Sequence, residues 1–330
     1  MQLPTILDAI GSTPIVHAPR FSERVGANVW VKLEYLNPGL SMKDRIVKYI
    51  VEQGEREGKI NKDTVLVEGS SGNTAASVAM IAAVKGLKAR IVMPDKVSTE
   101  KIDTVRAYGA EVIITTTESD PNSPNYYPNV AKRIVEETPN GFYINQYHNP
   151  VNVDAHYHLT APEIWEQCDG QIDLFVAGIG AGGTVTGIGR YLKEKKPDVH
   201  VLAIDVEGSI YTDWFYNDKI IEAHVYKVEG IGEDFIPPIV DKSVIDDMAI
   251  VGDRESFEMG RWLARNDGLL LGGSSGSAFA GLERFLKGEG RFNKVDSAKY
   301  KNIVVLAPDS GVKYLSKMYS DEWMKQQGLA

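Results

Sequence analysis

The sequence predicts an α/β protein with two domains, each built on a mostly parallel twisted sheet flanked by helices. Short runs rich in Val, Ile and Leu are followed by glycine-rich turns and then by apolar residues at helical spacing. These runs are TVLVE (64–68), ARIVM (89–93), EVIIT (111–115), IDLFVA (172–177), HVLAID (200–205) and NIVVLA (302–307). Such alternation is typical of parallel sheets, because a crossover helix must carry the chain back to start the next strand.

Two long segments interrupt this alternation. TESDPNSPNYYPN, residues 117–129, is rich in Pro, Asn and Ser and predicts a loop, which a helix over about 130–137 follows. A second irregular segment covers roughly 207–243. Because the strands fall into two groups without a repeat, we expect two α/β domains with a cleft between them and a boundary near 145–150.

Composition limits the classes of function. The chain has 330 residues, of which 43% are hydrophobic, so it can bury a full core. A net charge of -9, without a cluster of Lys and Arg, argues against a nucleic-acid or anionic membrane surface and favours small-molecule partners. The single cysteine, Cys168, excludes an internal disulfide and indicates a reducing compartment, so we expect a cytoplasmic protein. The N-terminal residues carry no secretion signal, and no run of apolar residues is long enough to span a membrane.

The segment NPGLSMKDRI, residues 37–46, places Lys43 where a helix should begin, near Ser41. A cation is disfavoured at the positive end of the helix dipole, which favours the neutral amine that a nucleophilic lysine needs. The alternative is an ordinary solvated lysine with Asp44 as a local partner.

The loop EGSSGNTAAS, residues 68–77, leads into an alanine-rich helix that Gly86 should end. Its hydroxyls, glycine and asparagine at a helix N-terminus could bind an anion, most simply a carboxylate. The alternative is N-capping by Ser71 or Asn73.

The loop GIGAGGTVTGIGR, residues 178–190, lets the backbone approach a phosphate at the start of a helix. Its glycines also satisfy the dinucleotide-binding pattern G-x-G-x-x-G, and Asp205 ends the next strand. A third loop, GLLLGGSSGSAFAG at 268–281, places Ser274 where it could meet a ring nitrogen, an anion or simply cap a helix. The histidines His148, His156 and His158 lack metal-ligand spacing, so we expect no metal site.

Six motifs occur in the order that is typical of one family. They are NPGLSMKDRI, EGSSGNT, GIGAGGTVTGIGR, GIGEDFIP (230–237), GLLLGGSSGS and LAPDSGVKYL (306–315). Together they resemble the pyridoxal-phosphate enzymes of fold type II, the tryptophan synthase β-like fold, and within it the cysteine synthase and cystathionine β-synthase family. YKVEGIGEDFIPPIVD and YLSKMYSDEWMKQQGL are most similar to the catalytic core of cystathionine β-synthase, without a haem-binding extension or a regulatory domain.

The resemblance implies pyridoxal 5'-phosphate as cofactor and assigns roles to residues. Lys43 would be the catalytic residue and carry the cofactor as a Schiff base. The other cofactor-binding residues would be Asn73, Gly180, Ala181, Gly182, Gly183, Thr184 and Ser274. The substrate-binding residues would be Ser70, Ser71, Gly72, Thr74, Gln146, Gly230, Ile231, Gly232, Glu233 and Asp234.

The resemblance also implies a domain division and an oligomer. A smaller, mobile domain over 41–147 would carry the carboxylate-binding loop. A larger domain, formed by 1–40 and 148–330, would carry the phosphate site, and two chains would form a homodimer.

The implied reaction is β-replacement on serine, O-acetylserine or cysteine through an aminoacrylate, most simply with a thiol such as homocysteine as nucleophile. Two alternatives use the same aminoacrylate chemistry, namely cysteine synthase and a hydrogen sulfide-producing, lanthionine-forming enzyme. Two others do not use it, namely an inactive relative that acts as a binding partner and a nicotinamide oxidoreductase.

The sequence departs from the family pattern in several places. The loop reads Glu68-Gly69-Ser70-Ser71 where members commonly have Pro-Thr-Ser, and Ala75 stands where glycine is usual. Ala181 replaces a common threonine, and Glu233 stands where cystathionine β-synthases usually have tyrosine. Glu233 and Asp234 could receive the ammonium group of a second amino acid or act as acid and base, or they could simply face solvent.

Overall fold

A computed structural model describes residues 2–95, 97–117 and 123–330. Within these residues there are ten strands and twelve α-helices. The strands are β1 (Ile15–His17), β2 (Asn28–Leu33), β3 (Val65–Gly69), β4 (Lys88–Pro94), β5 (Glu111–Thr115), β6 (Gly141–Tyr143), β7 (Leu174–Gly178), β8 (His200–Val206), β9 (Asp247–Val251) and β10 (Asn302–Ala307).

The α-helices follow most of the strands. They are α1 (Pro19–Val25), α2 (Lys43–Arg56), α3 (Asn73–Lys85), α4 (Thr99–Ala107), α5 (Tyr127–Glu137), α6 (Val151–Ala155), α7 (Ala161–Gln167), α8 (Gly183–Lys195), α9 (Tyr211–Asn217), α10 (Asp253–Asn266), α11 (Gly273–Leu286) and α12 (Asp321–Gln326). Short 3-10 helices cover Ile6–Ala9, Glu34–Leu36, Lys242–Val244, Gly290–Phe292, Ser297–Lys299 and Gly311–Tyr314, and a π-helical turn covers His156–Thr160. No helix in the described ranges is long and apolar enough to cross a membrane.

The chain forms two compact units, and the first comprises the residues up to Gly11 together with Asn37–Ala155. Its four strands lie in the order β5-β4-β3-β6, and all neighbours are parallel. The helices α2 and α3 contact each other and bury Ile46, Val78 and Ile81 with Leu66 and Ile91 of the sheet. This core fixes the starts of α2 and α3 within one unit.

The second unit comprises Ser12–Leu36 and His156–Ala330. Its six strands lie in the order β1-β2-β10-β7-β8-β9. Only the pairing of β1 with β2 is antiparallel among the paired strands described. The central strands are buried along their length, which explains why their sequences are continuously apolar.

Small residues bring α10 and α11 together in the second unit. A Cβ atom on Gly276 would lie 2.0 Å from the backbone oxygen of Ser256. The glycine therefore allows the two helix backbones to approach closely, and α11 is buried on nearly every side. This packing fixes the start of α11, where Ser274 lies.

The fold prediction is confirmed, and the six predicted strands are β3, β4, β5, β7, β8 and β10. The helix predicted near Ser41 is α2, and Gly86 ends α3 in the left-handed conformation with a φ of 67°. The loop predicted over 117–129 includes 118–122, which lie outside the described residues. The segment 207–243 is less irregular than predicted, because α9 forms inside it.

The units differ in two respects from the domains expected from the sequence. The residues up to Gly11 and residues 37–40, expected in the larger domain, belong to the first unit, and so do residues 148–155. Lys48 on α2 donates a hydrogen bond to the backbone oxygen of Leu7 at 2.9 Å, which holds the N-terminal segment there. The mobility of the smaller domain stays a prediction.

Candidate active site

Lys43 is the first residue of α2, as the sequence analysis expected. The chain before it turns sharply, and Leu40 has the left-handed φ of 60°. The side-chain oxygen of Ser41 accepts a hydrogen bond from the backbone N–H of Lys43 at 3.3 Å. The amine of Lys43, which is partly buried, therefore extends from the positive end of the α2 dipole.

Asp44 fixes the turn that precedes Lys43. Its fully buried carboxylate accepts the backbone N–H of Gly39 at 2.6 Å and the hydroxyl of Ser77 on α3 at 2.6 Å. A Cβ atom on Gly39 would lie 2.3 Å from the Asp44 carboxylate, so glycine is required at this position. Asp44 thus has a clear structural role in addition to any interaction with Lys43.

Glu68 is a buried acidic residue close to Lys43 in the first unit. It lies on β3 and accepts the backbone N–H of Asn145 at 2.8 Å. Burial raises the pKa of Glu68 to about 8, although the N–H groups of Asn145 and Gln146 and the charge of Lys43 oppose the rise. No feature of the sequence around Glu68 indicated a role for this residue.

The residues expected to bind the substrate carboxylate lie at the start of α3. Gly72 is the N-cap residue of the helix, so neither Ser71 nor Asn73 occupies the N-cap position. The side-chain oxygen of Ser70 accepts the N–H of Gly72 at 3.3 Å. The hydroxyl of Thr74 donates to the side-chain oxygen of Gln146 at 2.7 Å, so two of the predicted substrate-binding residues are in direct contact.

In the second unit, β7 leads through a glycine-rich loop into α8. A Cβ atom on Gly180 would lie 2.7 Å from the backbone oxygen of Gly230, and Gly182 has a left-handed φ of 86°. Gly182 is also the N-cap of α8, and no side chain caps this helix. A glycine-rich loop that leads into the first turn of a helix fits a phosphate group, because backbone N–H groups can approach the anion there.

The predicted substrate loop at 230–234 lies against this phosphate loop. The N–H of Gly232 donates to the backbone oxygen of Ile179 at 2.7 Å. The N–H of Glu233 donates to the side-chain oxygen of Ser209 at 3.1 Å. The side chain of Glu233 is partly exposed, and Asp234 is exposed.

Ser274 and Thr184 lie near the ends of the same sheet. Ser274 is buried in the first turn of α11, a helix that contacts β7, and its N-cap is Gly272 without a side-chain cap. The hydroxyl of Thr184 lies 3.1 Å from Nε2 of His156, which is fully buried. His156 thus orients a predicted cofactor ligand, a role the sequence did not indicate.

The predicted residues are therefore divided between the two units. The first unit holds Lys43, Ser70, Ser71, Gly72, Asn73, Thr74 and Gln146, and the second holds Gly180–Thr184, Gly230–Asp234 and Ser274. Within the described residues, no group of three His, Cys, Asp or Glu side chains could hold a metal ion.

Parallel α/β units, a lysine at a helix start and a glycine-rich loop at the start of another helix are the features expected of an enzyme with a phosphate-bearing cofactor. The chain belongs to the family of pyridoxal-phosphate-dependent enzymes, whose sequence pattern matches residues 6–309. The cofactor predicted from the sequence is thereby confirmed, and the nicotinamide alternative is wrong.

Relatives of known name support this assignment. The chain is 43% identical to cystathionine beta-synthase of Apis mellifera over 99% of its length and 42% identical to that of Mus musculus over 99%. It spans 63% and 57% of the lengths of these two relatives, or about three fifths.

Two solved structures are also similar. A hydrogen sulfide-producing enzyme from Fusobacterium nucleatum is 36% identical, with a TM-score of 0.83 over 95% of this chain and 100% of its own. O-ureido-L-serine synthase is 29% identical, with a TM-score of 0.86 over 98% of this chain and 100% of its own.

Proposed function

We propose that the protein catalyses pyridoxal-phosphate-dependent β-replacement on a serine, O-acetylserine or cysteine substrate, with a thiol such as homocysteine as nucleophile. The observation that carries this proposal is the 43% identity to a cystathionine beta-synthase over 99% of the chain. Lys43 at the start of α2 supplies the amine that such chemistry requires.

The bound cofactor supplies an electron sink that makes the α-proton of an amino acid acidic. In our proposal Lys43 carries the cofactor and, once an amino acid has displaced it, removes that proton as a general base. Asn73 would donate to the cofactor ring, and Ser274 would be the partner of its ring nitrogen. A hydroxyl such as that of Ser274 would donate a hydrogen bond without protonating that nitrogen, which favours loss of a β-substituent.

The substrate would be held through its carboxylate. Ser70, Ser71 and Gly72 present hydroxyl and N–H groups at the start of α3, and the Thr74 hydroxyl, which donates to the side-chain oxygen of Gln146, holds that amide beside them. Gly230, Ile231 and Gly232 are further residues that we propose to contact the substrate. Such a site binds the carboxylate that all candidate substrates share. It does not discriminate between their leaving groups, which other residues must select.

Glu233 and Asp234 would contribute to the choice of nucleophile. A carboxylate at Glu233 can receive the ammonium group of a second amino acid, which sulfide does not have. We therefore propose that the second substrate is an amino-acid thiol rather than inorganic sulfide. Cysteine synthase activity, with O-acetylserine and sulfide, is the weaker alternative.

A second candidate function is hydrogen sulfide release from cysteine, with formation of lanthionine when a second cysteine is the nucleophile. The observation in its favour is the 36% identity to a hydrogen sulfide-producing enzyme over 95% of the chain. We also propose a homodimer, by analogy with the family, and a cytoplasmic location, because a single cysteine suits a reducing compartment.

Product analysis by mass spectrometry tests these proposals. The purified protein is supplied with L-serine and L-homocysteine, with O-acetyl-L-serine and sulfide, or with L-cysteine alone. We expect cystathionine from the first mixture, and lanthionine with sulfide from the third if the second candidate function holds. Consumption of none of these amino acids would refute β-replacement.

A further inference from the structure

Tyr211 makes a short hydrogen bond to the phosphate loop. Its hydroxyl donates to the backbone oxygen of Gly180, with 2.5 Å between the two oxygen atoms. The side chain of Tyr211 is fully buried. A carbonyl oxygen only accepts hydrogen bonds, so the phenol must be the donor. Tyr211 belongs to α9, inside the segment that the sequence indicated as irregular.

This hydrogen bond fixes the orientation of one peptide group. In a trans peptide the C=O and the following N–H point in opposite directions. Because the oxygen of Gly180 faces Tyr211, the N–H of Ala181 points away from it. Gly180 has no side chain and Ala181 has no hydroxyl, so neither residue can hold this peptide group through its own side chain. The hydrogen bond from Tyr211 holds the peptide group instead.

Hydrogen bonds of the two neighbouring residues and a contact of its own ring hold Tyr211 in place in the second unit. Asp205 accepts the N–H and the hydroxyl of the next residue, Thr212, at 2.9 and 2.8 Å. The N–H of Ile210 donates to the backbone oxygen of Glu233 at 3.1 Å. The ring of Trp214 packs edge-on against that of Tyr211, with 6.1 Å between the centroids. The hydroxyl therefore occupies a fixed position relative to the loop.

The phenol also stays protonated. Burial raises the pKa of Tyr211 well above its ordinary value, and the nearby carboxylates of Glu233 and Asp205 raise it further. The hydroxyl remains a hydrogen-bond donor wherever the protein is folded near neutral pH.

We propose that Tyr211 is a positioning residue for the cofactor phosphate, which orients the Gly180–Ala181 peptide so that the N–H of Ala181 donates to the phosphate. This inference rests on the proposed phosphate site at Gly180–Thr184. It assigns no chemical step to Tyr211, because the hydroxyl would act through the loop.

The test compares the wild type with Tyr211→Phe, which removes only the hydroxyl. The matched control is Tyr216→Phe on the same helix, because the hydroxyl of Tyr216 bonds Asp247 and the backbone of Met248 instead. Each protein is freed of cofactor and titrated separately with pyridoxal 5'-phosphate and with pyridoxal, which has no phosphate. The phosphorus NMR resonance of each reloaded protein is then recorded.

We expect Tyr211→Phe to raise the dissociation constant for pyridoxal 5'-phosphate roughly threefold to tenfold, the scale of one hydrogen bond. Binding of pyridoxal should stay unchanged, the phosphorus resonance should shift, and Tyr216→Phe should match the wild type. Equal losses for both ligands, or no loss for either, would overturn the inference. Should Tyr211→Phe not fold, Tyr211→Leu serves the same comparison.

The outcome separates this inference from the proposed function. A wild-type protein that binds no pyridoxal 5'-phosphate would refute the proposed function itself. A wild type that binds the cofactor, with a Tyr211→Phe variant that binds it equally well, would refute only the role of Tyr211.

Discussion

The carboxylate of Asp44 accepts a hydrogen bond from the hydroxyl of Ser77, and only 2.6 Å separates the two oxygen atoms. This contact joins the first turn of α2 to the first turns of α3, so it connects the helix that begins with Lys43 to the helix that begins with Asn73. The same carboxylate holds the turn at Gly39. One buried acid thus sets the positions of two predicted cofactor-binding residues.

Asp44→Asn should destabilise the protein by about 1–3 kcal/mol, because its amide NH2 cannot accept the N–H of Gly39 or the hydroxyl of Ser77, so one of these two hydrogen bonds is lost. Urea unfolding measures the loss. Asp63→Asn is the control, since Asp63 is exposed, and it should change the free energy of unfolding by less than about 0.5 kcal/mol. Equal effects of the two substitutions would contradict the role of Asp44.

Gly276→Ala should lower the free energy of unfolding by roughly 2 kcal/mol or more, because the new methyl group would meet the backbone oxygen of Ser256 at 2.0 Å. Gly260→Ala in the facing helix is the control. Its methyl group would meet the end of the Met318 side chain at 2.5 Å, which can move, so we expect a loss below about 1 kcal/mol. Thermal unfolding compares the two variants, and the reverse order would refute the close packing of α10 and α11.

The sequence predicted six strands but not β1, β2, β6 and β9. Both β1 and β6 have three residues, too few for a periodic pattern to be recognised. The strand β2 forms because Val31 pairs with both Val16 and Val305, and the second of these partners is distant in the chain. Such pairing is a property of the tertiary structure.

In the candidate site, too, some roles follow from neighbouring residues in the sequence and others from contacts between residues far apart in the chain. Lys43 was predictable because the turn, the helix start and the lysine all lie within ten consecutive residues. The contact of Tyr211 with Gly180 joins residues 31 apart, and that of Asn145 with Glu68 joins residues 77 apart. No local pattern indicates these partners, so their roles became visible only in the structure.

Glu68 should make stability depend on pH. Because burial raises its pKa from 4.5 to about 8, the folded protein retains a proton that the unfolded chain loses in this interval. The unfolded state then binds fewer protons, so the stability contribution falls as pH rises from about 4.5 to 8 and is constant outside that window.

The comparison of wild type with Glu68→Gln measures this dependence. Urea unfolding of the cofactor-free proteins at pH 5, 6, 7 and 8 should show the wild type losing roughly 3–5 kcal/mol relative to the variant, as a pKa difference of this size implies. Glutamine keeps an oxygen that can accept the N–H of Asn145 but does not ionise. Parallel pH profiles would show that Glu68 does not titrate in this range.

Thr74→Val should weaken binding of the amino-acid substrate, because it removes the hydroxyl that holds the side chain of Gln146, a predicted substrate-binding residue, in place. We expect KM to rise about threefold to thirtyfold, with kcat within about twofold and the cofactor absorbance unchanged. Steady-state kinetics measures both constants. Thr104→Val, at an exposed position of α4, should leave KM unaltered. A KM for Thr74→Val equal to that of the wild type would remove Thr74 from the substrate site.

The central claim is that Lys43 carries pyridoxal phosphate and performs the proton transfer. The visible absorbance spectrum of wild type and Lys43→Ala, recorded alone and with L-serine, O-acetyl-L-serine or L-cysteine, tests it most directly. We predict a visible band in the wild type that changes with the true first substrate, and no turnover in a folded Lys43→Ala variant. A variant with wild-type kcat, or a wild type without a band after pyridoxal phosphate is supplied, would contradict the claim.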